Sequence, residues 1–138
     1  MARSETGMLI WRRPPLLSGA FDDPQAGLEA DWQPDLDVFE LAHEFVLCLS
    51  LPGVRRRDVD VTVVGRVMAV RGVRRPVAPD GAIAHLIEAP RGTFARRIRL
   101  PADARVTGIR TEMADGQLLV RVPKIAPRAM KISVRTGR

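Results

Sequence analysis

The chain has 138 residues, 46% of them hydrophobic, a length that fits one domain of roughly 90 to 100 residues with an arm at each end. No apolar run nears the ~18 residues of a membrane span, and Met8-Leu9-Ile10-Trp11 runs into Arg12-Arg13-Pro14-Pro15 unlike a secretory signal. With no span and no such signal in sight, a cytoplasmic location is expected by default, and a single cysteine, Cys48, excludes an intrachain disulfide or cysteine metal site. The net charge of +6 divides as −2 over residues 1–31, +4 over 32–124 and +4 over 125–138, and 20 of the 22 basic residues are Arg. So dispersed an excess reads as composition, not as a nucleic-acid-binding stripe.

In chain order, residues 1–31 interleave Pro14, Pro15, Pro24 and several Gly with the apolar islands Leu9, Ile10, Trp11, Leu16, Leu17 and Phe21. No period persists, which predicts an arm that is largely disordered or partly helical, yet greasier than an ordinary tail. From Trp32 the texture changes to short runs punctuated by Pro and Gly, the pattern of an all-β sandwich. Phe45, Leu47, Leu49 and Leu51 fall on one face of a strand ended by Pro52-Gly53. Val59, Val61 and Val63 alternate with Asp58, Asp60 and Thr62, a half-buried strand. Met68 and Val70 lead to an expected stop at Gly72. Between Gly72 and Glu88, residues 73–87 make a loop too long to be an idle connection, within which Ile83 to Ile87 can form a short strand. Phe94, Ile98 and Leu100 share a face, Leu118, Val120 and Val122 another, and Asp115-Gly116 predicts a hairpin turn. No stretch of twelve or more residues supports an amphipathic helix.

Taken together, Trp32-x-Pro34, Asp37-Val38-x-Glu40, Leu51-Pro52-Gly53-Val54, Glu88, Gly92-x-Phe94-x-Arg96-x-x-x-Leu100-Pro101 and Asp115-Gly116-x-Leu118-x-Val120-x-Val122-Pro123-Lys124 closely resemble the α-crystallin domain of the small heat-shock proteins (Hsp20 family). The match covers residues 32–124. Ile132-Ser133-Val134 is similar to that family's Ile-x-Ile/Val tail motif, within an extension at 125–138. Thr111 and Gln117 depart from the usual pattern, where a small and an apolar residue are common. The resemblance implies an immunoglobulin-like sandwich, dimers made by exchanging the strand of the long loop, and larger oligomers held by the tail. It also implies an ATP-independent chaperone that holds non-native client proteins for ATP-dependent chaperones. The sequence agrees on the nucleotide, because Lys124 and Lys131 lie in no Gly-rich phosphate loop. No cofactor is expected.

Ile132 and Val134, two residues apart, would point the same way on an extended backbone about 6.6 Å apart. Burying both would contribute about 3 to 6 kcal/mol before the cost of ordering the tail. The expected acceptor is a groove formed by Val59, Val61 and Val63 with Ile109 and Met113, on another subunit by strand addition; a final strand on the chain's own domain is the alternative. For the dimer contact the candidates are Ile83, His85, Leu86, Glu88 and Arg96. Arg96 lies on the apolar side of its strand, where a guanidinium needs carboxylate or carbonyl acceptors. Leu9, Ile10, Trp11, Leu16, Leu17 and Phe21 are candidates for client contact or for a core of arms inside the oligomer. Cys48 is expected to be a buried apolar group, and Arg55-Arg56-Arg57 a solvated turn. His43 and His85 have no neighbouring ligands for a metal. Two rivals remain, a co-chaperone or scaffold module with one defined partner and a basic nucleic-acid binder. Two His and one Cys offer no ready set of nucleophile, base and orienting group for an enzyme.

Overall fold

The computed structural model describes residues 21, 25, 27–126 and 134. Seven strands follow one another as β1 (Leu36–Glu40), β2 (Glu44–Ser50), β3 (Val59–Val64), β4 (Val67–Arg74), β5 (Gly92–Arg99), β6 (Arg110–Ala114) and β7 (Gln117–Pro123). Among the described residues the one helical element is a 3₁₀ turn at Arg56–Asp58, and Arg55, Arg56 and Arg57 are exposed there as expected. All the strand pairings are antiparallel and form two sheets, in the orders β1-β2-β7-β6 and β3-β4-β5. This is the all-β sandwich the strand periods predict.

Period-two alternation builds each strand. In β2 the regular switch from Phe45, Leu47 and Leu49, all buried, to Glu44, Val46 and Cys48 on the other face lets one sheet contribute a continuous apolar layer. β7 answers with Leu118, Val120 and Val122, paired in register with Leu49, Leu47 and Phe45. The second sheet closes the core with Met68, Val70, Phe94 and Ile98. At ~25 cal/mol per Å² of apolar surface removed from water, this interleaving is the main stabilising term. The β6–β7 hairpin turns on Asp115 (φ 52°) and Gly116 (φ 73°), the two successive positive φ values that a type I′ turn requires and that match strand twist.

Four details differ from the sequence reading. β4 does not stop at Gly72 but continues to Arg74. Gly72 is opposite Val59 on one side and Phe94 on the other, and a Cβ there would come within 2.1 Å of the Asp58 carbonyl oxygen and 2.5 Å of the Phe94 ring. The glycine therefore serves close approach inside the sheet and ends nothing. The loop accordingly runs over 75–91, and residues 83–87 pair with no strand among the described residues. Extended backbone becomes a strand by acquiring a ladder, and a single chain supplies none there. Finally, Cys48 is half-buried on the outer face of β2, outside the core. Burial first, and the Asp37 carboxylate opposite it second, push its thiol above the ordinary pKa, while Arg121 pulls the other way.

Candidate assembly site

Two open sheets leave four edges: β1 and β6 on one, β3 and β5 on the other. Trp32 bridges to Phe94 in β5, and the chain then crosses to Leu36 at the start of β1. So short a crossing puts β5 and β1 on one side of the sandwich and leaves β3 and β6 on the other.

The proposed tail-accepting residues lie on that second side. Val59, Val61 and Val63 of β3, with Met113 of β6 and Ile109 just before it, are half-buried and pack against the common core. Thr111, in register with the buried Val120, is exposed on the edge strand β6. The two walls are fastened at one end by a residue that sequence reasoning did not find. The Arg66 Nη2 at the β3–β4 turn donates to the carbonyls of Pro101 (2.5 Å) and Ala102 (3.0 Å) and also to that of Ala104. The Leu100 N–H donates to the Arg66 carbonyl at 2.8 Å. One guanidinium thus ties the turn after β3 to the segment leading into β6. Its acceptors are 35 or more residues away in sequence, so no local pattern could signal the contact.

On the other side, the Arg96 Nη1 donates to the Pro34 carbonyl at 2.9 Å. Pro34 is buried two residues before β1, so this bond joins β5 to the entry of the open edge strand β1. Of the loop candidates, Ile83 and Leu86 are 81% and 76% exposed, and His85 and Glu88 are exposed beside them. Val134 is 88% exposed, and Ile132 lies outside the described residues, as do Leu9, Ile10, Trp11, Leu16 and Leu17. Phe21 behaves differently from a free arm residue. It is half-buried against the core, its ring 5.2 Å from that of Phe45, and its N–H donates to the Arg99 carbonyl at 2.9 Å.

Little here resembles a reaction centre. An open hollow of about 580 Å³ lined by His43, Glu44, Arg105 and Arg110 lies at one end of the sandwich. Its carboxylate is already engaged, with Glu44 2.9 Å from Arg121 and 3.6 Å from Arg110. Nearby, the Lys124 Nζ pairs with Glu40 at 2.5 Å and lies 5.2 Å over the Phe45 ring. Among the described residues no group of three or more His, Cys, Asp or Glu is placed to hold a metal ion, and no helix is long and apolar enough to cross a membrane.

The described residues thus form a two-sheet sandwich with a half-buried apolar row on β3 and exposed aliphatic side chains on the 75–91 loop. Comparison with known proteins gives the family. Residues 37–135 match the model of the Hsp20/alpha crystallin family. A 16.9 kDa class I heat shock protein 1 of Triticum aestivum is 35% identical over 116 residues, covering 80% of this chain and 72% of the relative. A 19.0 kDa class II heat shock protein of Oryza sativa subsp. japonica is 41% identical over 101 residues, covering 67% of this chain and 58% of the relative. Among solved structures, the small heat-shock protein from Xylella fastidiosa, described as having a distinct high order structure, superposes with a TM-score of 0.65 at 29% identity over 79% of this chain and all of that one. The hspA of Xanthomonas axonopodis gives 0.61 at 32% identity, covering 67% of this chain and 94% of that one. The chain belongs to the Hsp20/alpha crystallin family, the small heat-shock proteins, a family of chaperones.

Proposed function

We propose that the protein is an ATP-independent holding chaperone that binds unfolding proteins and prevents their aggregation, without catalysis or cofactor. The observation that carries this reading is the coexistence, in one folded chain, of a fully packed core with exposed aliphatic residues at Ile83, Leu86 and Val134 and with open strand edges. Such features are a hazard in a monomer and a means of association in an assembly.

In this reading residues 32–124 form the rigid domain, 1–31 the client-binding arm and 125–138 the tail. The loop carrying Ile83, His85, Leu86 and Glu88 adds to the partner subunit's open β1 edge, near the Arg96 contact that steadies it. Ile132 and Val134 enter the β3–β6 groove of a further subunit. Leu9, Ile10, Trp11, Leu16 and Leu17 take up clients, which pass to ATP-dependent chaperones. A cytoplasmic site of action suits this role.

An aggregation assay with a heat-labile client tests the proposal. Suppression at near-stoichiometric ratios, unchanged by ATP, is the expected result; no suppression at such ratios sinks the holding role. Native mass measurement tests the tail: removing residues 125–138 should reduce large particles to dimers, and an unchanged mass would refute the assignment of Ile132 and Val134.

A further inference from the structure

The edge of β5 is met by described residues of the chain's own preceding segment. Phe21, Gln25 and Asp31 meet it at Arg99, Arg97 and Thr93, against the strand's direction, and Trp32 then bridges to Phe94 in the parallel sense. The Phe21 N–H donates to the Arg99 carbonyl (2.9 Å), and the N–H groups of Asp31 and Trp32 both donate to the Thr93 carbonyl (2.9 and 3.2 Å). Between these ends a side chain stands in for a strand. Gln25 Nε2 donates to the Arg97 carbonyl at 2.9 Å while its Oε1 accepts from the Arg97 N–H at 3.0 Å. That pair reproduces the two-bond exchange of an antiparallel hydrogen-bonded pair. Asp31 does the same at the other end, its Oδ2 accepting from the Thr93 N–H at 2.8 Å. Apolar contacts pin both ends, Phe21 against Phe45 and Trp32 against Phe94, with ring centroids 5.2 and 5.1 Å apart.

Such a strap is a placeholder. Among the described residues it meets Arg97 with the Gln25 side-chain amide and the Thr93 N–H with the Asp31 carboxylate, where a true strand would supply backbone groups. A properly extended segment would offer those backbone groups in register to the same donors and acceptors. Arg97 and Arg99 on this edge disfavour a basic segment.

We propose that the β5 edge is a client-binding site, taking one extended apolar segment of a non-native polypeptide in place of the chain's own Phe21, Gln25, Asp31 and Trp32. The site deepens the holding-chaperone reading and rests on it. Phe21 then changes place with an apolar side chain of the client, which would reach the Phe45 end of the core.

Hydrogen exchange on the full chain tests this, with reduced carboxymethylated α-lactalbumin as a permanently unfolded probe at ambient temperature. Probe binding should speed exchange of the Phe21 and Trp32 amides at least tenfold while the Thr93 and Arg97 amides stay protected. The double variant Gln25→Leu, Asp31→Ala, which weakens the placeholder, should bind the probe severalfold more tightly. If the probe binds while the Phe21 and Trp32 amides keep their protection, the edge site is overturned and the holding role stands. If the double variant pairs with a second copy and gains no probe affinity, the edge is a subunit contact and the site is likewise overturned. Failure of the wild-type chain to bind the probe or any heat-labile client removes both readings. Should the variant not fold, the exchange pattern of the wild-type chain decides alone.

Discussion

The two sides of the sandwich close their edges by opposite means. On the β1–β5 side, the β5 edge is met by Phe21, Gln25, Asp31 and Trp32 through side-chain amide, carboxylate and backbone groups. On the β3–β6 side, Val59, Val61, Val63, Ile109 and Met113 stay half-buried, and Arg66 ties the turn after β3 to the segment before β6. The same core supports both. What differs is whether the nearest segment of chain reaches the edge, and that is a matter of connectivity. The β5 edge lies where the preceding segment can reach it, whereas among the described residues Val59, Val61 and Val63 on β3 stay half-buried.

The strongest way to break the comparison is to remove what both sides share. Phe94→Ala empties the centre of the core and also withdraws the ring on which Trp32 rests. A loss of about 3 to 5 kcal/mol is expected for a buried phenylalanine, read as a lower midpoint in urea unfolding. Arg66→Ala acts on the groove side alone. With three backbone carbonyls deprived of a charged donor, it should cost about 1.5 to 3 kcal/mol and speed exchange at the Leu100 and Ala104 amides, while Thr93 and Arg97 keep their protection. If all four amides change together, the two sides are not independent.

Val61→Glu sharpens the comparison further. Val61 is half-buried, so the stability loss should be about 1 to 2 kcal/mol, yet in the proposed assembly, where the tail docks on β3, large particles should fall to dimers on native mass measurement. Particles of unchanged size would move the tail site elsewhere. The smallest effect concerns Cys48, on the outer face of the sheet that contains both β1 and β6. Its raised pKa means that the folded state holds the proton more tightly than the unfolded chain. The contribution is present below the ordinary thiol pKa of ~8.5 and lost as pH rises through the folded value. Iodoacetamide should therefore alkylate Cys48 at pH 8 more slowly than it does a free thiol, and Cys48→Ser should flatten the decline of stability at alkaline pH.

Much of the scaffold is legible in local sequence pattern. Alternation in β2, β3 and β7 announces which side chains enter the core, since a strand's period of two is a purely local property. Asp115-Gly116 announces its turn because only a few residues tolerate positive φ. Gly72 reads wrongly as a stop for the same reason that Gly116 reads correctly as a turn: glycine signals backbone freedom or closeness, and the sequence does not say which. The half-burial of Val59, Val61 and Val63 follows from their alternation. The contacts of Arg66, Gln25 and Asp31 do not, because their hydrogen-bond partners lie 35 to 72 residues away and a side chain that bonds to distant backbone leaves no period.

The sequence by itself determined an all-β sandwich, the inward face of each main strand, the family and the presence of apolar segments outside the core. The tertiary structure decided which edges face one another, that Phe21 and Gln25 lie on the sandwich and that one arginine joins the walls of the groove. The reason is physical. Strand period and turn geometry depend on neighbours in the chain, whereas edge closure depends on contacts across many tens of residues, whose partners become adjacent when the core has packed.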